Sequence, residues 1–205
     1  MKEKSGKDDF QEVATIDKDK INFRRMLITA STAVSVLVLI IVIIAIVAGI
    51  NAYKEPVRHI VKGVNKADTL LLMENIYPED MVVFKRFNKK NEGTAWKDYL
   101  KNNDDYIEKK MNEMGLKKAK CDIVAKEEIK GSNLEAIEDF YESTYEAEVK
   151  KAYRVEVNMT FSTKGGDETP SGWVCVVKIK DEGWKFCPEY SENHFDFIDE
   201  AIKFK

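Results

Sequence analysis

The side chains best placed to do chemistry are one carboxylate, one phenol, two histidines and three cysteines. Asp68 interrupts an apolar stripe formed by Val57, Val61, Val64 and Leu71. A carboxylate buried there would have its pKa raised toward the range of a general base. The same residue also stands immediately before Leu70, Leu71, Leu72 and Ile76, where Asp is a preferred helix N-cap, and capping is the better account of it. Tyr153 is the only polar-tipped residue in the alternating set Tyr153, Val155, Val157, Met159, Phe161. A tyrosine near a strand end is more often a packed amphipathic ring than a catalytic acid.

His59 and His194 lie far apart, and no HxH, HxxxH or HExxH spacing suggests a metal. Cys121, Cys175 and Cys187 include no CxxC pair and are too few for a disulfide scaffold. Cys175 and Cys187 fall on the two arms of an expected hairpin. A loop of Asp181-Glu182-Gly183 would set Val177 opposite Cys187 and leave Cys175 diagonal, at about 7–8 Å, so a free buried pair is expected. GxSxG, Walker A and GxGxxG motifs are absent, and no cofactor is implied.

One element dominates the organisation of the chain. Met26 to Ile50 is 25 residues without a charge, 15 of them Ile, Leu or Val. As a helix it would extend about 37 Å, enough to cross a hydrocarbon core of roughly 30 Å. It exceeds the apolar length of a cleaved signal peptide, and Ile50-Asn51-Ala52 is a poor cleavage site. A lipoprotein would need a cysteine just after the run, but the first is Cys121. Arg24 and Arg25 abut the helix on its amino-terminal side, which favours a cytoplasmic amino terminus and an extracytoplasmic remainder. The expected partition is a disordered cytoplasmic tail over 1–25, a transmembrane helix over 26–50 and one ectodomain over 51–205.

Before Asn51 there are seven Lys/Arg against six Asp/Glu, and beyond it 26 against 30. A mildly acidic, mixed surface argues against nucleic acid, which needs a basic stripe. Within the ectodomain, Pro56 opens a helix carrying Val57, Ile60, Val61 and Val64, and a bend near Lys66 to Asp68 leads to a second piece closed by Tyr77-Pro78. Glu79 to Asn88 reads as a short helix, and Thr94 caps a longer one with Trp96, Tyr99, Leu100, Ile107, Met111 and Met114 on its apolar side. Strand alternation then follows at Cys121, Ile123 and Ala125, at Tyr153 to Phe161, and in the hairpin Trp173 to Lys180 with Trp184 to Cys187. Asn133 to Tyr145 reads as a helix between strands, and Asn193 to Lys203 as a short final one. Helices followed by an antiparallel sheet with one apolar face predict an α+β fold.

Asn65-Lys66-Ala67-Asp68 with three leucines and Tyr77-Pro78, the Tyr153 to Phe161 strand, Trp173-x-x-x-Val177-x-Ile179 and Gly183-Trp184-Lys185 resemble the nuclear transport factor 2-like (cystatin-like) cone superfamily over about Tyr53 to Pro188. Single-anchor bacterial versions share this layout. The resemblance implies N-terminal helices packed on a curved antiparallel sheet. It also implies that any catalysis would use Asp, His or Tyr inside the cone, which makes Asp68 and Tyr153 the pocket candidates. Members of the superfamily often dimerise through the open sheet face, so the polar row Arg154, Glu156, Asn158 and Thr160 is the candidate interaction face.

The function expected on these grounds is a membrane-anchored, extracytoplasmic binding or protein-interaction domain without catalysis. Its expected partners are the bilayer, through Met26 to Ile50, and a second copy of the chain. One alternative is the scaffold subunit of a type IV secretion or conjugation-like machine, which has the same layout. Another is an isomerase or dehydratase using Asp68 and a tyrosine in the cone.

Overall fold

The computed structural model describes residues 34–45, 47, 49–163, 165–191 and 195–204. The tail over 1–25, the first part of the apolar run over 26–33, and His194 lie outside these residues. The chain divides into two compact units, Met1–Ile50 and Asn51–Lys205. The helical run Val34–Lys66 is long and apolar enough to cross a membrane, and its apolar window is wholly unburied.

The second unit is α+β. Helices α1 (Glu55–Lys66), α2 (Thr69–Ile76), α3 (Glu79–Asn91) and α4 (Trp96–Glu113) precede strand β1 (Leu116–Ile129). Helix α5 (Ser132–Tyr145) then leads to β2 (Val149–Thr163), β3 (Gly166–Glu168), β4 (Ser171–Ile179), β5 (Gly183–Cys187) and a last helix α6 (Asp196–Ala201). The sheet is antiparallel and curled, in the order β1-β2-β4-β5, with the short β3 paired to β2.

Period-3.6 spacing explains the cover on the inner face. Val57, Ile60, Val61 and Val64 of α1 pack with Leu72 and Ile76 of α2 against Val155, Val157 and Met159 of β2, Val174 and Val176 of β4, and Phe186 of β5. Ala67 ends α1 in the left-handed conformation (φ 48°), and this residue makes the bend between α1 and α2. Close approach of the two helices requires Gly63, because a Cβ there would lie 2.7 Å from Leu72 Cδ2. Asn65 then ties α1 to the sheet: its amide donates to the Ala119 carbonyl at 2.8 Å and accepts the Ala119 N–H at 2.7 Å.

On the outer face, α5 sets Ile137 and Tyr141 over Ala152, Cys175, Val177, Ile179 and Cys187, which form a second, smaller core. Beyond that core the face carries the polar row Arg154, Glu156, Asn158 and Thr160, with Trp173 of β4 among them.

Three local expectations change. Helix α4 starts at Trp96 with Ala95 as its N-cap and no side-chain cap; the Thr94 N–H bonds instead to the Lys89 carbonyl at 3.0 Å. Strand β1 begins at Leu116, and a bulge between Ile123 and Ala125 reverses its alternation. Ala125 consequently pairs with outward Glu156, while Lys126 pairs with inward Val155. In the β4–β5 hairpin, Asp181 (φ 63°) and Gly183 (φ 95°) supply positive φ, and the loop is Lys180-Asp181-Glu182. Ile179 thus faces Gly183, Val177 faces Lys185, and Cys175 stands directly opposite Cys187.

Candidate functional site

Asp68 has extended backbone (φ −107°, ψ 90°) at the start of α2, and its Oδ1 accepts the Leu71 N–H at 3.0 Å. This is N-cap geometry. The Thr69 N–H next to it donates to Asp104 Oδ1 at 2.8 Å, so two carboxylates satisfy two of the free amides of the first turn. The carboxylate proposed as a base is therefore held in backbone hydrogen bonding.

Tyr153 faces inward at one end of β2, stacked on Trp184 with centroids 4.9 Å apart and edge-on to Tyr53 at 5.5 Å. Lys126, turned inward by the bulge, places its Nζ 4.3 Å from the Tyr53 ring centroid and 4.4 Å from that of Tyr153. Burial raises the Tyr53 pKa, and the neighbouring Tyr153 raises it further. Three rings and an ammonium form a packed cation–π cluster here. Asp68 caps α2 and Tyr153 lies within β2, and neither lines the two clefts described below.

The outward row is arranged differently. The Arg154 guanidinium lies 4.5 Å from the Trp173 ring centroid, and Trp173 pairs across the strands with Glu156. Ser171 Oγ donates to Asn158 Oδ1 at 2.7 Å, and the Thr160 and Thr169 hydroxyls lie 3.3 Å apart. All four residues of the row are half-buried. At one end it opens into a cleft of about 720 Å³ beside α5, lined by Glu127, Glu128, Arg154, Trp173, Glu189 and Tyr190. Sequence reading found the row but not Trp173 as its partner. The signal was the odd-numbered parity of β4, which places Trp173 on the same face as Cys175.

A second cleft, of about 470 Å³, lies at the other end of β2, lined by Met114, Leu116, Phe161, Pro170, Phe195 and Phe197 with Glu168 and Asp196 among its polar groups. Asp68 and Tyr153 do not line it. The three cysteines are free thiols, with Cys175 and Cys187 buried. A hydrogen bond to Cys187, together with burial, pushes the Cys175 thiol up. Burial takes Cys121 to about 12. His59 Nδ1 is 3.1 Å from Asn75 Oδ1, and Nε2 is 3.7 Å from Glu55. Among the described residues, no group of three or more His, Cys, Asp or Glu is placed to hold a metal ion.

Comparison with protein-family models, with curated proteins and with solved structures gave no match to this chain. The cone-like α+β architecture stands on the topology above, and membership of the nuclear transport factor 2-like superfamily is not shown.

Proposed function

We propose that this chain is a single-pass membrane protein whose ectodomain, outside the cytoplasm, binds a protein partner through the outer face of its sheet and catalyses no reaction. The observation that carries the reading is Arg154 stacked on Trp173 at the mouth of the 720 Å³ cleft. Arg, Trp and Tyr dominate the energetics of protein interfaces, and here Arg154, Trp173 and Tyr190 border one concavity. The inner face supports the non-catalytic part, because it is filled by apolar side chains and the two pocket candidates are engaged in a cap and a ring stack. The apolar helix and the Arg24-Arg25 pair before it support the anchored, extracytoplasmic part.

A second copy of the chain is the first partner to test. The face carries both signs, with Arg154 and Lys130 beside Glu127, Glu128 and Glu156, and such a patch can pair with itself about a two-fold axis. The test is a photoreactive residue introduced at Glu156 in the full chain in membranes, with exposed Lys101 of α4 as the control. Chain-to-chain adducts from position 156 and background labelling from 101 are expected. Background labelling at 156, or equal labelling at both, would remove the dimer through this face.

A further inference from the structure

Helix α3 is packed inside out. None of its 13 residues is buried. On its inner side Lys85 sets its Nζ 4.6 Å from the Tyr77 ring centroid and Lys89 sets its own 5.4 Å from that of Tyr99. Burial, and then the charge of Lys89, lower the Lys85 pKa. Met81 and Val82 are half-buried beside these lysines, but the two phenylalanines and Val83 point the other way: Val83 is 57% exposed, Phe84 56% and Phe87 61%. At 3.6 residues per turn these three fall within about 100° of arc, so they form one stripe. An amphipathic helix packed on a water-soluble domain would normally bury its phenylalanines and expose its lysines. The reversal calls for an apolar phase outside the domain.

Position and charge both name that phase. Tyr53, in the first turn of the ectodomain, lies 6.4 Å from Trp184 at the start of β5. Next to Trp184, Lys185 donates to the Glu74 carbonyl of α2 at 2.9 Å, and Glu182 accepts the N–H of Glu79, the first residue of α3, at 2.8 Å. The β4–β5 hairpin thus holds the start of α3 at the end of the ectodomain where the chain arrives from its apolar run. Over residues 85–90 the sequence is Lys-Arg-Phe-Asn-Lys-Lys, four cations and no acid, and Arg86 and Lys90 are exposed beside the apolar stripe. Phenylalanine flanked by basic residues is the pattern of a helix lying in the interface of an anionic membrane.

We infer that α3 is an interfacial helix, with Phe84 and Phe87 in the boundary between headgroups and acyl chains and Arg86 and Lys90 on anionic lipid headgroups. The occupant of this face is the bilayer, and the inference rests on the membrane-anchored reading above. It makes the membrane a second binding partner of the ectodomain.

The test uses the full chain reconstituted into vesicles of phosphatidylcholine, with or without phosphatidylglycerol, containing a trace of phospholipid with a photoactivatable acyl chain. Adducts are mapped by mass spectrometry. Labelling is expected on peptides from α3 as well as on the apolar run, with the α3 signal several-fold higher when phosphatidylglycerol is present. The F84S/F87S variant should lose the α3 adducts and keep those on the apolar run. Because both side chains are exposed, its ectodomain should melt as the parent does. Adducts on the apolar run with background on α3 would overturn the inference while leaving the anchor intact. So would α3 labelling indifferent to phosphatidylglycerol. A chain that carbonate extracts, with no adducts anywhere, would remove the anchored reading itself.

Discussion

The Asp68 carboxylate accepts the backbone N–H of Leu71 at 3.0 Å, a bond that starts α2 at the bend after α1. A cap and a general base respond differently to substitution. Asp68→Ala should destabilise the domain by about 0.5–2 kcal/mol, whereas Asp68→Asn, which keeps an acceptor oxygen, should stay within a few tenths of the parent. Thermal melting of both variants checks this. Equal losses in the two would show that charge rather than the cap bond matters at this position.

Gly63 and Leu72 meet at the crossing of α1 and α2. A Cβ on Gly63 would lie 2.7 Å from Leu72 Cδ2 and 2.8 Å from Cγ, inside contact distance. Gly63→Ala should therefore cost about 1–3 kcal/mol by overpacking, although alanine is the better helix former. The double variant with Leu72→Ala should be more stable than the sum of the two single losses, because the shorter side chain removes the clash. Simple additivity in denaturant melts would contradict the close approach.

Burial raises the pKa of several tyrosines. It is the largest cause for Tyr77, taken from 10.0 to about 12, and also for Tyr141 and Tyr145. An unfolded tyrosine loses its proton near pH 10, whereas folded Tyr77 keeps it to about 12. Between those values the folded state holds more protons, so stability is complete below pH 10 and falls as pH rises through the window. Phenolate absorbance followed beside far-ultraviolet circular dichroism should show these rings ionising together with loss of helix. Full ionisation near pH 10 with the helix signal intact would refute the burial.

What the sequence disclosed and what it concealed have separate physical causes. The apolar period of α1, the capping role of Asp68 and the alternation of Tyr153 to Phe161 are set by neighbours within one element, and all are present in the structure. The inward turn of Lys126 follows from a bulge, and a bulge is decided by the partner strand. Cys175 faces Cys187 because the positive φ of Asp181 and Gly183 moves the loop back by one residue, which residue types alone did not distinguish. Trp173 joined Arg154 only once the β2–β4 register was known. The direction of α3 was hidden for another reason: a lysine can lie over a tyrosine ring as readily as reach into water, so its apolar pattern did not say which side faces out.

The most direct measurement of the central claim, an anchored binding domain outside the cytoplasm, is protease accessibility of the full chain carrying a carboxy-terminal tag, in cells stripped to the plasma membrane. Added protease should remove the tag while a fragment containing the apolar run resists carbonate extraction. A tag protected until detergent is added would reverse the orientation, and mature chain beginning near Tyr53 in the medium would show that the apolar run is a cleaved signal rather than an anchor.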